Sequence, residues 1–224
     1  MNALYRWNFT PVLDNLDVLW AGALGTLRLF AICVVLGMGF GLVVGLGRHA
    51  RSRWIHAPAT AFVEFFRNTP VLVQILWFYY ALPILLPFQI SPLIAAALGI
   101  SLNSAAFSAE IYRGGIESID RGQAEAARAL GMTAAQAMRR IVLPQALRRM
   151  VPALVNEAVT LVKDSSLVSA IGLAELALAA RTVAGAYSRY WEPYLLISAI
   201  YLVITLTLSA LARRLELPSH LRGR

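Results

Sequence analysis

Five stretches of this 224-residue chain are each apolar over a length that crosses a bilayer as a helix. That alone selects the class of fold. A hydrocarbon core takes roughly 20 mostly apolar helical residues. The pattern predicts spans at 20–47, interrupted only by Arg28, and at 71–88, with a polar lead-in holding Glu64 and Arg67. Further spans are predicted at 91–109, at 150–173, polar in its middle, and at 194–212. Little chain remains outside them, so 1–224 is read as one all-α membrane domain with a cytoplasmic loop over 113–149. Only 14% of the residues are charged, against about 25% in soluble domains, which excludes an ordinary soluble enzyme.

Asp14 and Asp17 interrupt the region where a signal peptide needs an apolar core, so no cleavable signal is expected. Insertion is left to the first span. Most of the 20 basic residues fall in alternate loops: Arg48, Arg51 and Arg53; then Arg113, Arg121, Arg128, Arg139, Arg140, Arg148 and Arg149; then Arg213, Arg214, Arg222 and Arg224. Basic loops stay cytoplasmic. With five crossings the N-terminus is outside and the C-terminus cytoplasmic. The net charge of +8 is thus a topology signal, and no nucleic-acid partner is needed to explain it.

Gly37, Gly41 and Gly45 share one face of the first span, where small residues let two helices approach closely. No phosphate-binding glycine loop, HExxH or paired-cysteine motif occurs, and Cys33 is the only thiol. No catalytic residue, metal or cofactor is expected.

The loop between the third and fourth spans reads as two short helices joined by a tight turn. Gly131 supplies a left-handed helix end, Thr133 with Gln136 has the spacing of a capping box, and Pro144 ends or bends the second helix. Ala126, Ala127 and Leu130 would pack inward. A helix-turn-helix rich in arginine superficially resembles a DNA reader, but both of its ends are tied to membrane spans.

The spacing Glu125-Ala126-Ala127, three residues, Gly131, nine residues, Ile141-x-Leu143-Pro144 resembles the EAA loop of ATP-binding-cassette importer permeases at every defined position. Phe66-Arg-Asn-Thr-Pro70, Glu110-Ile-Tyr-Arg113, Arg121-Gly122-Gln123 and Lys163-Asp164-Ser-Ser are similar to motifs of the polar amino acid subfamily, although relatives often carry Gly where Asn68 stands. The resemblance implies a type I importer permease of the bacterial cytoplasmic (inner) membrane, with five transmembrane helices and a cytoplasmic coupling loop. It implies that Gly122, Glu125, Ala126, Ala127, Gly131, Ile141, Leu143 and Pro144 serve ATPase coupling. It also implies ATPase subunits, an external amino acid binding protein and a second permease subunit, identical or sibling, as partners.

The fourth span carries Asn156, Glu157, Thr160, Lys163 and Asp164 within an arc of roughly 120° at helical pitch. Charges in a span are costly and face a bundle interior or a wet cavity. A zwitterionic amino acid needs a cationic donor and polar acceptors, so Glu157, Thr160, Lys163 and Asp164, with Asn103 on the third span, are candidate substrate contacts. Internal ion pairing that holds helices in register is the competing reading, and for Glu157 and Glu110 it is the stronger one. An ion-coupled secondary transporter is the alternative class, yet the internal repeats common there are missing from the sequence.

Overall fold

A computed structural model describes residues 5–50, 52–85, 87 and 89–215, the last four as backbone only. Arg51, Phe88, Arg222 and Arg224, which entered the span and charge patterns, lie outside the described residues, as do the side chains of Arg213 and Arg214. The described residues are helical, with no strand among them.

After α1 (Thr10–Leu13), α2 runs over Leu16–Arg48 and α3 over Arg53–Arg67. Next, α4 (Val71–Leu76) passes through a π-turn at Trp77–Ala81 into α5 (Leu82–Leu85). Then come α6 (Pro92–Glu117), α7 (Arg121–Ala129) and α8 (Ala134–Ala137). A second π-turn, Met138–Val142, joins α8 to α9 (Leu143–Asp164), which tightens into a 3-10 turn at Ser165–Ile171. Two helices close the chain, α10 (Leu176–Tyr187) and α11 (Trp191–Leu215). By length and composition α2, α6 and α11 are each long and apolar enough to cross a membrane; α3 with α4–α5 and α8–α9 with α10, bent by 104° and 49°, raise the number of crossings to as many as five where each bent pair is one span.

The structure alters three expectations. Both π-turns end two residues before a proline, Pro83 and Pro144. A proline has no N–H for the carbonyl four residues back, and its ring crowds that carbonyl. Widening the preceding turn accommodates it, so the helix passes through Pro144, and Pro83 lies inside α5. Second, the loop helix and the fourth span are one helical run from 134 to 164, with no break near Met150. Third, residues 176–187 form α10, which Glu175 and Arg181 had hidden from a reading by hydropathy.

Contacts divide the chain into two compact units. Unit one comprises Met1–Cys33, Val71–Ile100 and Leu161–Leu206, and unit two comprises Val34–Pro70, Ser101–Thr160 and Thr207–Arg224. In unit one Leu19 and Ala23 of α2 pack with Leu176, Ala179 and Ala180 of α10 and with Ile197 of α11. A Cβ on Gly22 would stand 2.8 Å from that of Ala179. In unit two Gly37 and Gly41 of α2 lie against Ser104 and Ser108 of α6, and Gly45 lies against the Ala109 carbonyl. The small-residue row packs on α6 as its four-residue period requires. The buried hydroxyls of Ser104 and Ser108 have no hydrogen-bond partner among the described residues, so their small size is what the contact uses.

Candidate functional site

On α9, Asn156, Thr160 and Lys163 are exposed, Glu157 and Asp164 are half-buried, and Leu161 and Val162 on the opposite face are buried. An exposed polar row on a membrane-crossing helix cannot face hydrocarbon cheaply. The row ends where the α-helix ends. Lys163 sits in the last turn, where the helix dipole favours a cation. Beyond it serine hydroxyls satisfy the carbonyls: Ser165 Oγ donates to Val162 at 2.6 Å, Ser166 Oγ to Lys163 at 2.7 Å and Ser169 Oγ to Ser166 at 2.8 Å. Gly172, at φ +75°, closes the turn. The Lys-Asp-Ser-Ser motif is therefore a self-satisfied helix end inside an apolar segment, as lipid demands of any interrupted span.

The loop is built from caps. Asp120 accepts the Gly122 N–H at 2.7 Å and starts α7. Gly131, at φ +86°, ends it, with Met132 N–H donating to Ala127 O at 3.2 Å and Gly131 N–H to Arg128 O at 2.9 Å. These are the paired bonds of a Schellman end. Thr133 and Gln136 then exchange both bonds of a capping box. Ala127 packs inward, but Ala126 is exposed and Leu130 is 83% exposed. The expected inward trio is thus corrected: α7 turns Ala127 inward, while Leu130 is the C-cap beyond its last residue, Ala129. Glu125, Leu130 and Gly131 are each exposed. Ile119, Val142, Ala146 and Met150 fill the core beneath. A cleft of about 340 Å³ opens beside it, lined by Ile116, Ile119, Met138 and Val142 with the carboxylates of Glu117 and Asp120.

Also in unit two, Glu110 on α6 gathers three guanidiniums. Arg48 pairs with it, Arg113 lies at 2.9 Å and Arg67 at 3.7 Å. Glu64 accepts from Asn68 at 3.1 Å, and Arg67 also stacks on Phe107. The end of α3 is closed by three side chains donating to its last carbonyls, Asn68 to Glu64 O, Thr69 to Phe65 O and Asn103 to Phe66 O, at 2.7, 2.9 and 2.8 Å. Glu64 O also accepts the Asn68 backbone N–H at 3.2 Å, and the last carbonyls of a helix find no N–H further along it.

Residues 18–217 match the family described as "binding-protein-dependent transport system inner membrane component". The chain belongs to that family. The arginine transport system permease protein ArtQ of Bacillus subtilis is 36% identical over 93% of this chain and 95% of its own length. The glutamine transport system permease protein GlnP of Escherichia coli K12 is 36% identical over 94% and 97%. A crystal structure of an amino acid ABC transporter with histidines superposes with a TM-score of 0.90 at 38% identity, covering 95% of this chain and 99% of the other. A methionine ABC transporter, MetNI, shares the fold at 24% identity and a TM-score of 0.70. The permease is thus a multi-pass inner-membrane protein of the type I importer fold, and the importer reading prevails over the ion-coupled carrier. Its relatives are ABC permease subunits, which are not catalytic themselves.

Within this importer permease the predicted contacts divide. Asn103, Glu157 and Thr160 belong to unit two, Lys163 and Asp164 to unit one. The Asn103 amide is committed to Phe66, and the Thr160 hydroxyl donates to Asn156 O at 3.0 Å. Of the loop residues, Ala127 is buried, Ile141 and Leu143 are half-buried, and Gly122, Glu125, Ala126, Gly131 and Pro144 are exposed. The sequence reading missed two fully buried carboxylates in unit one. Glu175 caps α10, accepting Ala177 and Leu178 N–H at 2.8 and 2.7 Å and the Tyr201 hydroxyl at 3.0 Å. Glu192 accepts the Tyr5 hydroxyl at 2.5 Å, Asn8 N–H at 2.9 Å and Arg189 at 2.8 Å. Each stands at the start of an apolar helix, where a carboxylate meets free N–H groups, and that position was the available signal.

Proposed function

We propose that this importer permease carries a polar or charged amino acid along a path bordered by the polar face of α9, with Lys163 and Asp164 as contacts for the substrate's charged groups. Asn156, Thr160 and Lys163 exposed on one face of a membrane-crossing helix are the observation that carries this reading. The names of its relatives, arginine and glutamine permeases, support the substrate class. Glu157 and Thr160 border the same path, while Asn103 acts by holding the end of α3. A second permease subunit, identical or sibling, covers the polar row. The outward surface of the loop, with Glu125, Leu130 and Gly131, meets a separate ATPase that hydrolyses ATP, and an external binding protein delivers the amino acid. The N-terminus lies outside and the C-terminus in the cytoplasm, in keeping with the basic loops.

The test is reconstitution of the complete complex with its binding protein and a screen of all amino acids for stimulated ATP hydrolysis. Lys163→Met, Asp164→Asn and the double variant are then scored for complex yield and transport. A substrate role gives near-normal yield with impaired transport in each single variant and no rescue in the double. Poor yield in the singles with recovery in the double would make the two residues a structural pair. Unchanged transport in all three would remove them from the path.

A further inference from the structure

The segment Tyr5–Phe9 of unit one has two unlike faces. Its polar groups turn toward the start of α11: Asn8 N–H and the Tyr5 hydroxyl donate to buried Glu192, and Arg189 bridges Glu192 and the Arg6 carbonyl, the latter at 3.0 Å. Asn8 Oδ1 then accepts the Thr10 N–H at 3.0 Å and leads into α1. The alternate residues form a ladder of rings. Tyr5 meets Trp7 edge-on at 5.5 Å between centroids, and Trp7 stacks on Phe9 at 6.0 Å with planes 8° apart. All three rings are exposed, Trp7 by 57%. A segment pinned by a buried carboxylate and three donors thus presents a rigid aromatic face outward. In water that arrangement would leave the apolar rings, rather than the polar groups, on the wet side.

The bilayer boundary resolves this. Glu192 lies in the first turn of α11, a membrane-crossing helix, so the segment sits level with a span end. Tyr190 and Trp191, on either side of that helix start, are also exposed. Trp and Tyr concentrate where headgroups meet acyl chains, because one ring serves both an apolar and a wet neighbour. We propose that Tyr5–Phe9 is an interfacial strap whose Tyr5–Trp7–Phe9 ladder inserts at the headgroup–acyl boundary of a phospholipid leaflet, continuous with the lipid-facing surface of α11, while Glu192 holds its polar face to the protein. The strap fixes the depth of the α11 start in the membrane, and it does so whatever the transported substrate is.

Cys33, the only thiol of this chain, is buried, so a spin label on Trp7→Cys meets no competing exposed thiol on the permease, and the partner subunits are prepared free of exposed cysteines. The complete complex is placed in nanodiscs of phosphatidylethanolamine and phosphatidylglycerol, with and without its binding protein. The strap gives a label whose relaxation by molecular oxygen relative to a water-soluble nickel chelate lies between the aqueous value and that of a Leu202→Cys reference in the middle of α11, and is indifferent to the binding protein. Glu192→Gln moves the ratio toward the aqueous value. If that variant does not assemble, Tyr5→Phe, which removes one donor, gives a smaller shift the same way. Free access of the nickel chelate in the unliganded complex overturns the proposal. So does shielding from both reagents, which marks cover by protein, or shielding only when the binding protein is added.

Discussion

A Cβ built on Gly41 would stand 2.7 Å from the Cβ of Ser108 and 2.8 Å from the Ala105 carbonyl oxygen, nearer than real side chains come. The α2–α6 contact in unit two therefore depends on the missing side chain. Two residues away, a Cβ on Gly39 would meet nothing within 4 Å. Gly41→Val is expected to cost about 1–3 kcal/mol by overpacking, with a visible loss of folded yield, and Gly39→Val far less. Thermal unfolding in detergent checks the pair, and equal losses would contradict the packing account.

Glu110 is contacted by Arg48, Arg67 and Arg113 together, and Arg113 also reaches Glu117. Removing its charge leaves Arg48 and Arg67 beside each other without their counter-ion, while Arg113 keeps Glu117 at 2.6 Å. Breaking a buried pair from one side costs about 3–5 kcal/mol, and the side chain of Glu110 is 18% exposed, which places Glu110→Gln at the lower end. The melting temperature should fall, and Arg48→Met combined with Glu110→Gln should recover part of the loss. A double variant less stable than Glu110→Gln would count against the cluster.

Gly131 holds φ +86° with nothing within 4 Å of a built Cβ, so any cost of substitution is backbone strain alone. Asn tolerates the left-handed region and a β-branched residue does not. Gly131→Val is expected to leave the permease membrane-inserted yet abolish substrate-stimulated ATP hydrolysis in the reconstituted complex, whereas Gly131→Asn should keep most of it. Thr133→Ala, which removes the capping box, should cost about 1 kcal/mol.

The strap carries a pH signature. The hydrogen bond to Glu192, with desolvation and the carboxylate's charge, holds the Tyr5 phenol above its ordinary value. A raised phenol stabilises the attached strap fully below about pH 10, the ordinary tyrosine value, and that contribution is lost as pH climbs beyond it. A label at position 7 should therefore gain mobility above about pH 10 in the native strap. With Tyr5→Phe the mobility should be higher at neutral pH and lack the alkaline step.

Span existence, the small-residue row on α2 and the turn at Gly131 with its capping box were legible in the sequence because each rests on local rules. Twenty apolar residues must hide their backbone in lipid, glycines four apart must share a face, and a left-handed helix end selects glycine. The polar row of α9 was legible for the same reason, since helical pitch alone aligns Asn156, Thr160 and Lys163. What only the tertiary structure decided is which group meets which. Glu110 meets Arg67 because packing brings α6 to the end of α3. Asn103 is spent on the Phe66 carbonyl, 37 residues away in sequence. Glu192 anchors Tyr5 and Asn8 from the far end of the chain. Pairings of this kind depend on distances set by packing of helices remote in sequence, and no periodicity or composition within one segment encodes them.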